Sequence, residues 1–110
     1  PPADIPQMAS PAAEYLATVV QPGDLVLMQF PWEAPIEFSC LAERIDRDRL
    51  HVPGNARPVP GTRLFVLLSP ASSQTPATVL QHYVIAPETV AFGTKLKDWM
   101  RLEIHGAVVR

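Results

Sequence analysis

The fold is decided by the stretch IEFSCLAERIDRDRLHVPGNARPVPGTRLFVLL (residues 36–68). Apolar and polar residues alternate over residues 36–40, as they do in a strand with one buried face. The polar group DRD (46–48) is typical of a hairpin turn, and residues 49–52 are expected to form the return strand. A Pro- and Gly-rich loop follows, and residues 62–68 are the most strand-like run of the chain. This stretch therefore predicts two or three antiparallel strands.

Further elements of one small domain are predicted on both sides of this stretch. Prolines among the first residues predict an extended tether or linker over residues 1–9. Ser10 followed by Pro11 is a helix-start signal and predicts a short helix over residues 11–20. Strands are expected at residues 25–30, 77–85 and 90–92, and residues 97–105 fit either a helix or a strand. Together these elements predict a mostly β domain over residues 10–110, a small antiparallel split β-barrel of five to six strands.

Length and composition limit the classes of protein to which the chain can belong. The chain has 110 residues, which is the size of a single domain with one core. Its net charge of −2 provides no overall attraction to nucleic acid or anionic lipid. No apolar run approaches the roughly 20 residues of a membrane span. Because Cys40 is the only cysteine, an intrachain disulfide is excluded and a reducing, cytoplasmic compartment is expected. The first residue is Pro1, so we expect a segment of a larger protein.

Patterns for catalysis or metal binding are weak in this sequence. Cys40, His51 and His82 could serve nucleophilic chemistry, but no nucleophile-elbow motif surrounds a serine. Cys40 is expected to be a small buried residue on the inner face of a strand. Asp46 and Asp48 are typical turn residues. No pair of cysteines or histidines has zinc-ligand spacing, so we expect neither a metal nor a cofactor.

Arginines are the candidate binding residues. Five of the nine basic residues lie in the central stretch, namely Arg44, Arg47, Arg49, Arg57 and Arg63. A guanidinium can fork onto phosphate or carboxylate, so a cluster could bind a nucleotide or an acidic partner. Interleaved acids favour a solvated face with ion pairs of about 0–1 kcal/mol each. Nucleic acid is not expected, because surface aromatics are missing among these residues. A protein partner or an adjoining domain remains the preferred ligand.

The order of segments resembles that of PilZ-type and flagellar-brake N-terminal domains, which are small split β-barrels of bacterial cyclic-di-GMP signalling. The similarity is carried by PGDLVLMQF (22–30), DRLHV (48–52) and PGTR (60–63) before an apolar strand, within residues 22–93. It implies a non-enzymatic, cytoplasmic signalling or adaptor domain, for example in flagellar motility, that acts through protein contacts.

Nucleotide-binding members of that family carry an RxxxR pair and a (D/N)xSxxG turn. The nearest match to the pair here is Lys97 with Arg101, and lysine cannot fork onto phosphate as arginine does. The expected turn, residues 46–51, has neither serine nor glycine. Cyclic-di-GMP is therefore a possible but disfavoured ligand. Two alternatives stay open: a small-barrel ribonuclease similar to MazF-type toxins, suggested by GDLVLMQFPW (23–32), and an RNA-binding barrel.

Overall fold

The structure is a computed structural model that describes residues 5–29, 33–50, 58–99 and 101–110. Its helices are α1 (Ile5–Val19), α2 (Glu33–Ala42), the single turn α3 (Arg47–Leu50) and α4 (Pro76–His82). Its strands are β1 (Leu25–Leu27), β2 (Arg63–Leu68), β3 (Val90–Trp99) and β4 (Leu102–Val109). The strands form one open mixed sheet in the order β1-β2-β4-β3. β1 is parallel to β2, and β4 is antiparallel to both of its neighbours.

The predicted mostly β split barrel of five to six strands is wrong. The described residues form a small α/β domain, with four helices and a four-stranded sheet that does not close. Two of the expected strands, at residues 36–40 and 77–85, are occupied by helices α2 and α4. The expected hairpin turn at residues 46–48 leads into the helical turn α3, and residues 51 and 52 of its return strand lie outside the described residues.

Helix α2 shows why the alternating pattern was misleading. Ile36 and Cys40 are fully buried, and their spacing of four places both on one face of a helix. The same two residues share a parity, so they also fit a strand. Phe38 separates the two patterns, because a strand would bury it with them and a helix turns it away. It is 76% exposed, and the helical period therefore describes this segment.

Helix α4 has a start signal that the sequence displays. The hydroxyl of Thr75 accepts a hydrogen bond from the Thr78 N–H at 3.2 Å, and the Thr75 N–H donates to the Thr78 hydroxyl at 2.8 Å. Pro76 occupies the first helical turn, where its missing N–H is not needed. Val79, Leu80 and Tyr83 then lie on the buried side at helical spacing.

Other predicted elements are confirmed, with changed limits. The helix expected over residues 11–20 is α1, but the start predicted at Ser10 and Pro11 is wrong: α1 begins at Ile5, contains Pro11 and includes part of the expected tether. Strands β1 and β2 lie within the expected runs. The strand expected at residues 90–92 continues to Trp99. The strand alternative is confirmed at residues 97–99, which end β3, and at residues 102–105, which begin β4.

The sheet separates two apolar clusters. We call the side covered by α1, α2 and α3 the α1/α2 face, and the opposite side the α4 face. Alternation along β2 places Phe65 and Leu67 on the α1/α2 face and Leu64, Val66 and Leu68 on the α4 face. Because both faces of β1 and β2 are packed, these strands are continuous apolar runs. Among the described residues, no helix combines the length and the apolar character needed to cross a bilayer.

Candidate functional site

Two of the five candidate arginines meet at a buried carboxylate. Asp24, which directly precedes β1, is 5% exposed. Arg63 donates from Nε to Asp24 Oδ1 at 3.1 Å and from Nη2 to Asp24 Oδ2, and Nη2 also donates to the Val19 carbonyl at 3.0 Å. Arg49 Nη1 lies 3.5 Å from the Asp24 carbonyl oxygen. This cluster joins the end of α1 to the starts of β1 and β2.

The environment of Asp24 keeps its carboxylate charged. Burial alone would raise the pKa of Asp24, but the hydrogen bonds from Arg63 and from the Gln21 N–H, with the charges of Arg63 and Arg49, outweigh that effect and lower the pKa. The same bond to Asp24 raises the pKa of Arg63. A carboxylate with three donors around it is a structural ion pair. This site tethers elements of the fold.

Arg44 and Arg49 line a second, polar groove between the end of α1 and the α2–α3 connection. Its volume is about 200 Å³, and Glu43 and Asp46 lie in the same wall. Arg49 Nη2 is 4.0 Å from Asp46 Oδ2, whose side chain is 76% exposed. The interleaved acids thus balance the cations, as the sequence indicated. The groove carries no net charge with which to select a phosphate.

The remaining candidates stand apart. Arg47 is exposed at the start of α3, and Arg57 lies outside the described residues. The structure therefore brings Arg49 and Arg63 together at Asp24, and Arg44 and Arg49 together at the polar groove. The described arginines do not all line one pocket.

Candidate catalytic side chains are dispersed as well. Cys40 is buried in α2, and burial, helped by the charges of Glu43 and Glu37, raises the pKa of its thiol to about 12. The predicted burial of Cys40 is confirmed, although on a helix. His82 packs edge-on against Tyr83 with ring centroids 5.1 Å apart, and His51 lies outside the described residues. Over the described ranges, no group of three potential metal ligands is found.

An uncovered apolar surface surrounds Gly93 and Gly106 on the two paired strands β3 and β4, which we call the β3–β4 ribbon. Three of the six large apolar side chains that are exposed among the described residues lie there: Phe92, Leu96 and Val108. Phe92 lies on the α4 face, and Leu96 and Val108 lie on the α1/α2 face. The other three are scattered singly elsewhere, a pattern that is ordinary on a protein surface.

Two grooves lie back to back at this point of the sheet. The groove on the α1/α2 face has a volume of about 270 Å³ and is lined by side chains that include Arg63, Phe65, Leu96 and Val108. The groove on the α4 face has about 220 Å³ and is lined by Thr75, Pro76, Ala77, Phe92 and His105. Gly93 and Gly106 contribute to both grooves. No helix residue lines the groove on the α1/α2 face, whereas the start of α4, at Pro76 and Ala77, forms part of the groove on the α4 face.

Charged residues of the ribbon form a network on the α4 face. Glu103 Oε1 is 2.8 Å from His105 Nε2, and Glu103 Oε2 is 3.6 Å from Lys95 Nζ. Lys95 also pairs with Asp98 at 2.9 Å, and these interactions raise its pKa. The α4 face of the ribbon thus has two acids against one lysine and one histidine. Lys97 is on the other face, with Nζ 5.2 Å from the Tyr15 ring centroid.

Sequence reasoning missed the ribbon for an identifiable reason. Over residues 91–98 every residue is exposed, so the alternation that reveals a half-buried strand is missing. Gly93 and two register shifts between Phe92 and Lys97 break the pattern further. The one available signal was the short apolar run at residues 90–92 that begins the strand.

Comparisons of the chain with protein-family models, with curated proteins and with solved structures give no significant match.

Proposed function

We propose that this domain is a non-enzymatic module that binds another polypeptide through the β3–β4 ribbon. The observation that carries the proposal is the ribbon's exposure on both faces, with Phe92 on one side and Leu96 and Val108 on the other. Contiguous exposed apolar side chains rimmed by charged ones are characteristic of contact surfaces. The proposal assigns to the ribbon the protein-contact role that was expected from the sequence.

The two-sided geometry favours a polypeptide over other occupants. A planar membrane surface could cover Phe92 or Leu96, but not both, because these side chains lie on opposite faces of one sheet layer. A small molecule would occupy one groove and leave the other uncovered. A polypeptide that contacts both faces of the ribbon can cover both grooves. Protein partners also suit grooves of this shallow kind, since their affinity comes from a few apolar anchors.

The edge of the sheet limits how the partner binds. β3 is an outer strand, and an open strand edge invites pairing with any other strand. Lys95, Lys97 and the register shifts between Phe92 and Lys97 are features that oppose the pairing of an edge strand with another strand. We therefore place the contact on the faces of the ribbon and not on strand addition along β3.

The biological setting of this proposal comes from the segment order of residues 22–93. The similarity to PilZ-type and flagellar-brake domains supports a bacterial signalling or adaptor role, whereas the open sheet does not have the barrel that the similarity implied. A cytoplasmic location, expected from the single cysteine, belongs to the same proposal. The ribonuclease and RNA-binding alternatives stay predictions without a supporting contact.

Site-specific crosslinking in cells tests the interaction directly. A photoreactive phenylalanine analogue replaces Leu96 in one variant of the protein, Phe92 in a second and Val84 in a control. Val84 is 75% exposed but isolated from the ribbon. We expect one discrete protein adduct from both ribbon positions and none from the control. Adducts of the same kind and yield at all three positions, or none at any, would contradict the proposal.

Calorimetry with cyclic-di-GMP tests the signalling ligand. We expect no heat of binding at micromolar nucleotide, because the Arg44 and Arg49 groove also holds Glu43 and Asp46. If micromolar binding is observed, Arg47→Ala and Arg49→Ala show whether these arginines replace the missing motif. Such binding would make the domain a nucleotide receptor and would overturn the expectation that its only ligand is a protein.

A further inference from the structure

The two faces of the ribbon differ in charge, and this difference bears on the partner's chemistry. This inference rests on the proposed function above. On the α4 face, Lys95 and His105 are opposed by Asp98 and Glu103. On the α1/α2 face, the apolar groove is lined by one charged side chain, Arg63, which is paired with Asp24 outside the groove lining. Lys97 lies on that same face, and within the described residues no carboxylate pairs with it.

Arg63 is fixed in an orientation that leaves donors available. Asp24 and the Val19 carbonyl engage Nε and Nη2, so with respect to the described residues Nη1 retains both of its N–H donors. The guanidinium carbon lies 5.4 Å from the centroid of the Phe65 ring, which holds the group against the groove. A side chain that is already ordered loses little conformational freedom when it binds a partner. Arg63 is thus a preorganised donor at the rim of an apolar groove.

Lys97 supplies a second cation beyond the groove. The strand register places Lys97 opposite Ile104 and Ile104 opposite Leu67, four residues along β2 from Arg63. Four residues along a strand and two strand spacings across the sheet correspond to a separation of about 17 Å. Leu96, Gly106 and Val108 lie on this face as part of the groove. The arrangement is an apolar floor with one cation towards each end.

We infer that the partner segment on the α1/α2 face is an extended, apolar stretch of polypeptide that carries two carboxylates, one for Arg63 and one for Lys97. About five extended residues span ~17 Å. Because carboxylate side chains reach a few ångströms towards their partners, the two acids are four to six positions apart, with aliphatic residues between them. Charge complementarity selects this class over neutral or basic segments.

Selection from a random peptide library tests the inference before any natural partner is identified. Random dodecapeptides displayed on phage are selected on the immobilised protein. We expect enriched peptides to contain Asp or Glu at two positions separated by four to six residues, with Leu, Val or Phe between them. Enrichment of neutral or basic sequences, or no enrichment at all, would overturn the inference about charge. The proposed interaction itself is tested separately, by the crosslinking experiment.

Matched lysine variants then test whether the peptide binds on the α1/α2 face of the ribbon. Fluorescence anisotropy with the best selected peptide is measured for the native chain, for Lys97→Gln and for Lys95→Gln. Both variants remove one positive charge from β3, but Lys97 is on the α1/α2 face and Lys95 is on the α4 face. We expect Lys97→Gln to weaken binding about two- to fivefold and Lys95→Gln to leave it unchanged. Equal effects of the two variants would show a nonspecific charge attraction and contradict the inference.

Two further outcomes would assign the groove to another occupant. Leu96→Asp introduces a charge at the groove with little effect on the core, since Leu96 is 39% exposed, and it should abolish peptide binding. Concentration-dependent dimerisation that Leu96→Asp abolishes would identify a second copy of the chain as the occupant. Sedimentation with anionic phospholipid vesicles that Leu96→Asp and Lys97→Gln abolish would identify a membrane surface. Either result replaces the acidic peptide.

Discussion

The strands at the two ends of the sheet differ in how many of their residues are buried. β2 is buried at five of its six positions, whereas β3 is exposed at eight of ten. Helices cover β1 and β2 on both faces, and the Asp24–Arg63 pair joins them to α1. The β3–β4 ribbon has Phe92, Leu96 and Val108 uncovered. The comparison indicates that stability is concentrated at the β1–β2 end and that the β3–β4 end is available for a partner.

The largest effect should separate two leucines at opposite ends. Leu67 is fully buried in β2, and Leu96 is 39% exposed in β3. Leu67→Ala should lower the free energy of unfolding by about 3 kcal/mol, because it removes buried methyl groups and leaves a cavity. Leu96→Ala should lower it by less than about 1 kcal/mol. Urea denaturation measures both values, and equal losses would break the comparison.

The ion pair at the covered end gives the next largest effect. Asp24→Asn should lower the free energy of unfolding by about 2 kcal/mol at neutral pH, because the charged hydrogen bonds with Arg63 are lost. Asp46→Asn is the matched control. Its carboxylate is 76% exposed and 4.0 Å from Arg49, so we expect a change below about 0.5 kcal/mol.

The same pair predicts a pH dependence with a defined sign. The folded pKa of Asp24 is lowered, so the stabilisation is complete above the unfolded aspartate pKa of about 4 and is lost as pH falls through the folded value. The difference between the native chain and Asp24→Asn should therefore shrink below about pH 4. Urea titrations at pH 7 and pH 3 test this, and a difference that grows on acidification would contradict the assignment.

Two glycines sharpen the description of the ribbon itself. A Cβ atom at Gly93 would lie 2.9 Å from the Gly106 carbonyl oxygen, a backbone atom, whereas a Cβ at Gly106 would lie 3.3 Å from the flexible Leu96 side chain. Gly93→Ala should therefore destabilise the protein by about 1–2 kcal/mol, and Gly106→Ala by less than about 0.5 kcal/mol. Thermal unfolding of the two variants compares them directly. A larger loss for Gly106→Ala would mean that the strands are held together differently.

The smallest effect tests strain at the end of α4. Val84 adopts a left-handed conformation with φ of 59° and is 75% exposed. Its N–H and that of Ile85 donate to the carbonyls of Gln81 and Leu80, which closes the helix. A β-branched residue is strained there, so Val84→Gly should raise the free energy of unfolding by about 0.5–1 kcal/mol. Val59→Gly, at a position that is 69% exposed and without positive φ, should not stabilise; if it does, relief of strain is not the cause.

Part of the fold could be predicted from local sequence. Ser10 and Pro11 correctly indicated that a helix is present, but they do not start it, because α1 begins at Ile5 and contains Pro11. The apolar run of β2 pointed to a strand that is buried on both faces. The expected burial of Cys40 also holds. These predictions succeeded because they rest on one residue or on one uninterrupted run.

The arginine cluster was a weaker guide to the site. Arg63 turned out to be bound to Asp24, a carboxylate 39 positions away in the chain, and no local pattern announces such a partner. The apolar part of the candidate surface was missed altogether, because Leu96 and Val108 lie on different strands and meet only through the register of β3 with β4.

By itself, the sequence determined the buried strand β2, the presence of a helix before β1 and the burial of Cys40. It favoured strands at residues 36–40 and 77–85, where the structure has helices α2 and α4, because burial at positions i and i+4 satisfies both periods. Packing decided it: Ile36 and Cys40 reach the core only if Phe38 turns outward. Only the tertiary structure showed that Phe92, Leu96 and Val108 are left exposed on the two faces of the β3–β4 ribbon, since coverage depends on where distant helices lie and not on the strand's own residues.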